Sequence, residues 1–282
     1  MLFVKIGFNE ATTMVKSSLE KDLELCEKYG YDLIEIRTMD KLKDYFKTHT
    51  IEELTNYFKT HKIKPYAFNT LEFFNNRDEA RYREIKEEFQ YLCEVGEKIG
   101  CKTIITVPLV TTEKITKTKI KESCVKVLNE LANIGEKYGM RISVEFLGHP
   151  QATVNTFGEA YDIIKTVNRD NVGITLDCFH FHGMGSRLED LKNADKSKIF
   201  VVHINDTEDF PIGILTDVDR LWPGEGAIDL DGIFSTLKEI GYSEMASVEL
   251  FRPEYYELEV EDTIRIAKEK TVAVVGKYFD VK

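Results

Sequence analysis

EKYGMRISVEF, residues 136–146, compresses one structural unit into a short run: a charged helix end, a glycine, then an apolar strand that closes on a carboxylate. The same order recurs in EKYGYDLIEI (27–36), EKIGCKTIIT (97–106) and KEIGYSEMASVEL (238–250). Glycine suits the junction because the residue after a helix usually needs a positive φ, which costs glycine nothing. The four glycines, Gly30, Gly100, Gly139 and Gly241, are spaced by 70, 39 and 102 residues. These spacings are close to two, one and three copies of a unit of about 35 residues, the size of one strand, one helix and two short loops. Eight such units fill a chain of 282 residues.

The remaining strands fall into place by period: LFVKIGFN opens the chain, IKPYAFNT (63–70) lies between Gly30 and Gly100, and NVGITLD (171–177) and KIFVVHIND (198–206) lie between Gly139 and Gly241. Between them, Ile85, Phe89, Leu92, Gly96 and Ile99, and again Ile120, Cys124, Leu128, Leu131 and Ile134, recur at helical spacing. Ser17-x-x-Glu20 and Thr50-x-x-Glu53 read as capping boxes at helix starts. Near-continuous apolar strands alternating with helices predict a parallel sheet covered on both faces, and eight units without a Gly-rich dinucleotide loop predict a closed (β/α)8 TIM barrel. No linker or low-complexity tract interrupts it, so one barrel domain is expected over 1–282. The irregular stretch 206–228 is too long for a simple connection and is expected to cover the active site.

Composition narrows the function. The chain carries 38 basic and 49 acidic residues, a net charge of −11, which repels phosphate backbones and anionic membrane surfaces; neither a nucleic-acid nor a membrane partner is expected. No apolar run approaches the ~18 residues of a membrane helix. Lys5 and Glu10 interrupt the first residues before a secretory core could form. The five cysteines, Cys26, Cys93, Cys101, Cys124 and Cys178, include no C-x-x-C pair and read as buried thiols in a reducing cytoplasm.

In such a barrel the chemistry sits where strands end. Strands five to eight end in ISVEFLGH, GITLDCFH, VVHIND and ASVELFR, which place Glu145, Asp177, His203 and Glu249 at equivalent positions. Taken singly, each has an ordinary reading as a cap, an ion-pair partner or a core histidine. Four on consecutive strands facing one axis would repel strongly unless a cation lay between them. Three carboxylates and one imidazole suit one divalent ion, Mn²⁺, Mg²⁺, Co²⁺ or Zn²⁺, with positions open for substrate oxygens. Cys178 follows Asp177 but points to the opposite face. Asp177-x-x-His180 and His203-x-x-Asp206 add groups just beyond, placed to orient imidazoles or touch substrate, with His180 a proton carrier or hydroxyl binder and His182 either functional or solvated. His49 and His61 flank helix ends and read as surface residues. Arg37 and Asn69 end strands two and three and are within reach of a polar substrate, or in Arg37's case of a routine ion pair. Trp222, beside Pro223, Gly224, Glu225 and Gly226, either covers the metal or packs in the core, and Arg252 either binds ligand or pairs with Glu254.

At these residues the sequence resembles the xylose-isomerase-like superfamily of sugar isomerases and epimerases. Its metal site uses Glu, Asp, His and Glu from the ends of strands five to eight, which the resemblance carries onto Glu145, Asp177, His203 and Glu249. The likeness extends through GFNEATT (7–13), IEIRTMDKL (34–42), FFNNRDE (73–79), VEFLGHPQ (144–151), TVNTF (153–157), FHFHGMGS (179–186), SVELFRPEYY (247–256) and, most specifically, HINDTEDFPIGILTDVDRLWPGEGAIDLD (203–231). It implies a member that isomerises a cyclic polyol ketone of inositol catabolism, moving the carbonyl to a neighbouring carbon through an enediolate. Glu145 and Glu249 are then base and acid with His180 in reserve, and Arg37, Asn69, Trp222, Glu225 and Arg252 are candidates for substrate contact. In related ketose 3-epimerases an arginine follows the metal histidine by several residues. Here that stretch carries Asp206, Glu208 and Asp209, and the first arginine is Arg220, which argues against a simple ketohexose epimerase. The rivals are such an epimerase acting on a ketose, phosphodiester cleavage of the endonuclease IV type, which six histidines and the negative charge disfavour, and a non-catalytic polyol-binding barrel.

Overall fold

The computed structural model describes residues 2–281. Eight parallel strands close on themselves: β1 (Lys5–Asn9), β2 (Leu33–Arg37), β3 (Lys64–Leu71), β4 (Thr103–Thr106), β5 (Arg141–Glu145), β6 (Val172–Asp177), β7 (Ile199–Ile204) and β8 (Met245–Val248). Each pairs with its sequence neighbours, and β1 pairs with β8 through Lys5↔Met245 to Phe8↔Val248. The helices outside are α1 (Leu19–Lys28), α2 (Lys41–Tyr45), α3 (Ile51–Thr60), α4 (Glu79–Ile99), α5 (Lys117–Glu136), α6 (Phe157–Val167), α7 (Cys178–Gly183), α8 (Leu188–Lys192), α9 (Leu230–Ile240), α10 (Pro253–Tyr256) and α11 (Val260–Val275). The expected TIM barrel is therefore the observed fold.

The junction glycines explain the repeat. Gly30, Gly100, Gly139 and Gly241 all have φ between +62° and +86°, so each helix can stop and turn into the next strand without steric cost. The expected apolar face of α4 is buried at Ile85, Phe89, Leu92, Gly96 and Ile99. On α5, Cys124, Leu128 and Leu131 are buried, whereas Ile120 and Ile134 pack at the margin of the core. Thr50 and Glu53 form the expected capping box of α3. At α1 the cap lies one residue later than Ser17: Ser18 accepts from the Lys21 amide, because α1 begins at Leu19.

The inside of the barrel is layered. At its floor Leu33, Ala67, Ile105, Val201 and Met245 pack with Phe200 and Tyr66, and the Arg141 guanidinium lies over the Tyr66 and Phe200 rings. Above this, strand positions turn polar: Ser143 and Thr175 lie 2.6 Å apart, and Glu35, Glu145, Asp177, His203 and Glu249 crown the interior. Alternation along each strand sends every second side chain inward, so these groups share one end of one cavity.

The long connection after β7 is ordered by a buried carboxylate. Asp206 Oδ1 accepts the Thr207 and Ile228 amides at 3.0 and 2.9 Å, and Oδ2 accepts the Gly224 amide at 3.1 Å. Asp206–Thr207 and Arg220–Leu221 form a two-stranded antiparallel ribbon, so the chain doubles back over the mouth. Gly226 lies against this turn so closely that a Cβ would come within 2.2 Å of the Thr207 carbonyl oxygen. Asp206 thus folds the cover, in place of the imidazole-orienting or substrate contact expected from its spacing to His203. Asp206→Ala leaves three buried amides without an acceptor and is expected to cost roughly 3 kcal/mol. Urea unfolding measures this, and a loss below about 1 kcal/mol would show that the loop does not depend on Asp206.

Candidate metal centre

His203 is the hub of the mouth. It ends β7 at a fully buried position, and its Nδ1 lies 2.8 Å from Glu145 Oε1, 3.2 Å from Glu249 Oε2 and 3.7 Å from Asp177 Oδ2. Its other nitrogen, Nε2, lies 3.1 Å from Glu35 Oε2 on β2. One ligand atom from each of Glu145, Asp177, His203 and Glu249 falls within 4.8 Å of the others. Strand register produces this convergence: Asp177 pairs with His203 across β6 and β7, and His203 pairs with Ser247, two positions before Glu249.

Each carboxylate is held by different means. Asp177 caps α7, its Oδ1 accepting the His180 amide at 2.8 Å, while Oδ2 accepts from Asn205 Nδ2 at 3.0 Å. Glu249 Oε1 accepts from Asn9 Nδ2 at 2.8 Å and Asn69 Nδ2 at 3.1 Å, which turns Oε2 toward His203. Among the described residues, the one hydrogen bond of the Glu145 carboxyl is between Oε1 and His203. Arg220 closes one side: its guanidinium donates to Asp177 Oδ2 at 2.8 Å and to Glu249 Oε2 at 3.2 Å, with the Phe179 and Phe251 rings packed against it.

These contacts set the charges. Burial pushes the Glu145 carboxyl up to about 8, against the pull of His203 and with help from Glu249. Burial pushes Glu249 up as well, but the charge and hydrogen bond of His203, then Arg220, outweigh it and hold that carboxyl below its ordinary range. His203 is discouraged from ionising by burial, yet the charges of Glu249, Glu35 and Glu145 raise it well above an ordinary histidine. With the protein's own groups alone, the positive charges among these oxygens are a proton on Nδ1, 2.8 to 3.7 Å from three carboxylates, and the Arg220 guanidinium on Asp177 and Glu249; the shared proton and a guanidinium at one side cannot bind all three carboxylates at once. A divalent cation can. Nε2 then keeps its hydrogen for Glu35, which fixes the tautomer and strengthens Nδ1 as a donor to metal. The residues fit the ion: Glu145, Asp177, His203 and Glu249 would hold it, and no thiolate lies among them.

Other expected residues are distributed around this centre. His180 is buried on α7, its Nε2 3.2 Å from the Arg220 guanidinium, which can only donate; its Nδ1 has no partner among the described residues. His182 is half-buried on α7 and outside the cluster. Asn69 bonds Glu249, and Arg37 bonds Asp40 at 3.1 Å. Trp222 is buried and stacks on Tyr255 at 4.2 Å. Glu225 pairs with Lys270 of α11, and Arg252 pairs with Glu208 and Glu254. His49 and His61 stack on Tyr45 and Tyr57, away from the mouth. All five cysteines are free and buried.

Sequence reasoning missed Glu35 and underrated Arg220. Glu35 interrupts Ile34 and Ile36 in the way that Glu145 interrupts Val144 and Phe146, so the same signal was present in the second strand. Arg220 lies too far along the chain from His203 to be matched by spacing, and the ribbon brings it back. Its presence in the site removes the argument against an epimerase that rested on a missing arginine.

The closed barrel and this cluster define a class. The chain belongs to the xylose isomerase-like TIM barrel family, whose model matches residues 23–270. Within it, the chain is 64% identical over 278 residues to the inosose isomerase of Bacillus licheniformis, covering 99% of this chain and 100% of that protein. It is 63% identical over 278 residues to the inosose isomerase of Bacillus subtilis, with the same coverage. A crystal structure of the IOLI protein with a binding zinc atom superposes with a TM-score of 0.97 at 61% identity, covering 98% of this chain and 100% of that one. Among the described residues, no helix is long and apolar enough to cross a membrane.

Metal must displace protons from this site. Because Glu145 and His203 both hold theirs above their usual ranges, affinity for zinc is expected to rise as pH rises toward about 8, with proton release on binding. Calorimetry in buffers of different ionisation enthalpy reads both; affinity that is flat or falls with pH would contradict the protonation scheme. Glu35→Gln is expected to weaken zinc binding about 10- to 100-fold while leaving the site able to load. Unchanged affinity would show that Glu35 does not support His203.

Proposed function

We propose that this chain is an inosose isomerase that converts 2-keto-myo-inositol to 1-keto-D-chiro-inositol, and that it does so as a single barrel domain in the cytoplasm. The observation that carries the reading is the converged Glu145, Asp177, His203 and Glu249 set in a barrel 64% identical to a named inosose isomerase. A divalent ion held there supplies Lewis acidity that polarises a ketone and acidifies the neighbouring C–H.

The protein groups divide the remaining work. Glu145 has an oxygen, Oε2, with no hydrogen-bond partner among the described residues, and burial makes its carboxyl a competent base near neutral pH. It takes the proton from the carbon beside the ketone, leaving an enediolate, and returns a proton to the former carbonyl carbon. Glu249, pinned by Asn9, Asn69 and Arg220, is the fixed anion of the pair and the second candidate for proton exchange. The isomerisation also moves a hydroxyl proton from one oxygen to the next. His180 suits the positioning of those oxygens, not the transfer itself, since burial favours its neutral imidazole and Arg220 occupies Nε2, leaving Nδ1–H to donate a hydrogen bond to a substrate oxygen. Asn69, near the end of β3, and Arg37, at the end of β2, stand toward the mouth where a polyol's hydroxyls would lie; Trp222, Glu225 and Arg252 act through the loops that cover it.

A ketose 3-epimerase uses the same proton abstraction, and Arg220 in the site supports that second reading. The two differ in product: the isomerase delivers the proton to the neighbouring carbon, the epimerase to the carbon that lost it. Turnover of inosose and not of D-fructose or D-tagatose supports the isomerase; the reverse result overturns it, and sugar binding without turnover under any metal would leave a binding barrel. In D₂O, one carboxyl shuttling the proton predicts product with partial deuterium at the carbon that ceases to be a carbonyl. Glu145→Gln, shown by elemental analysis to retain its ion, is expected to lower kcat by about 10³-fold. Product with no deuterium at any pH would indicate a hydride shift and remove the carboxylate from the scheme.

A further inference from the structure

Three of the four residues of the metal centre are held in the ladder of the barrel: Glu145 pairs with Thr175, Asp177 with His203, and His203 with Ser247. Glu249 is not. β8 ends at Val248, its register with β1 stops at Phe8↔Val248, and its register with β7 stops at Val248↔Ile204. Beyond that point the Glu249 amide reaches the Ile204 carbonyl at 3.4 Å, a long bond. The carboxylate is pinned at its tip by Asn9 and Asn69, yet the main chain that carries it has left its strand partners.

A turn from the other side of the barrel's closure supplies the hold. β1 runs directly into a helical turn, Glu10–Thr13, the second half of GFNEATT, and all four of its residues are buried, whereas connections at a barrel mouth ordinarily face solvent. Buried polar groups need partners, and here they find them in two directions. Toward β8, the Thr12 hydroxyl donates to the Val248 carbonyl at 3.2 Å and accepts the Leu250 amide at 3.2 Å, so one side chain grips the main chain on both sides of Glu249. The Tyr256 hydroxyl of α10 lies 3.0 Å from the Ala11 carbonyl oxygen and 3.3 Å from that of Leu250, which closes the same contact from outside. Away from β8, Glu10 Oε2 accepts the Arg37 amide at 2.9 Å, while Thr13 Oγ1 donates to Asp22 at 3.0 Å and accepts from Lys41 Nζ at 2.9 Å. Lys41 pairs in turn with Asp22, both of them buried. The grip on β8 is therefore braced from behind by β2, α1 and α2.

We propose that Thr12 is a positioning residue for the metal centre: its hydroxyl fixes the main chain of Glu249, and with it the direction in which that carboxylate faces His203. The proposal rests on the reading of Glu249 as a ligand to the ion. Thr12 touches neither ion nor substrate and acts through Glu249 alone. Asn9 makes the turn and the carboxylate one unit, because its Oδ1 accepts the Ala11 amide at 2.9 Å and its Nδ2 donates to Glu249 Oε1 at 2.8 Å. A methyl in place of the Thr12 hydroxyl keeps the shape of the side chain and takes away the acceptor of the Leu250 amide. Glu249 then keeps its side-chain partners on a loosened main chain, and the site holds its ion less tightly with the other three ligands intact.

Zinc affinity of the full chain, read by competition with a chromogenic chelator well below the melting temperature, tests the proposal. Thr12→Val is expected to weaken zinc binding about 10-fold, and Thr12→Ser, which keeps the hydroxyl, by less than about 2-fold. Circular dichroism shows whether each variant is folded, and Thr12→Ala takes the place of Thr12→Val if the second methyl is not accommodated. In a Glu249→Gln background the same Thr12→Val change is expected to cost less than about 2-fold, because the residue it acts through is already lost. Unchanged zinc affinity with a lowered melting temperature would overturn the proposal and leave the turn as a structural brace. The full loss of about 10-fold persisting in the Glu249→Gln background would overturn it as well, since Thr12 would then act through another residue. None of these readings uses inosose, so a wild-type chain that fails to isomerise it would sink the proposed function while zinc affinity still decides the role of Thr12.

Discussion

Three buried carboxylates and one imidazole at the end of a closed barrel cannot coexist without positive charge among them. That repulsion organises the whole mouth. His203 is forced to hold a proton, Arg220 is drawn between Asp177 and Glu249, and Glu145 is driven toward its neutral form. Glu35 takes the hydrogen of the second imidazole nitrogen from behind, at a depth where its other oxygen has no partner among the described residues. A carboxylate so placed contributes nothing to packing and raises the local repulsion; its effect is to aim His203 at the other three. The fold stores this tension until a divalent ion relieves it.

Most of the architecture was legible because the barrel is periodic. One helix end, one glycine and one strand recur, and the glycines stand at positive φ where a side chain would strain the turn. The metal set was legible for a related reason: a polar residue closing an apolar strand contradicts the pattern around it, and four such contradictions share a register. Glu35 obeys the same rule on β2. Its place beside the site follows from closure of the barrel, which makes β2 a near neighbour of β7 across the interior although the two are far apart along the chain.

What sequence could not show depends on chain reversal or on side-chain choice. Arg220 reaches the site only because Asp206 folds the loop and the ribbon pairs Thr207 with Arg220. Asn69 stands two residues before the end of β3, which runs on to Leu71, and spends its amide on Glu249. Asn9, from the opposite side of β2, spends its own on the same oxygen, so two amides fix one carboxylate and leave the other, Glu145, free. That asymmetry between two glutamates of equal sequence status is what supports the proposed division into a fixed anion and a proton carrier, and it arises from neighbours on β1 and β3 that no spacing rule connects to β8.

The central claim is that one divalent ion occupies the space between Glu145, Asp177, His203 and Glu249. Anomalous scattering at the zinc edge, from crystals of the full chain grown with zinc, tests it most directly. The predicted result is a single strong peak per chain bonded to His203 Nδ1 and to one oxygen of each carboxylate, with Nε2 still bonded to Glu35. No peak at the mouth, or several metals bound by other residues, would contradict the account.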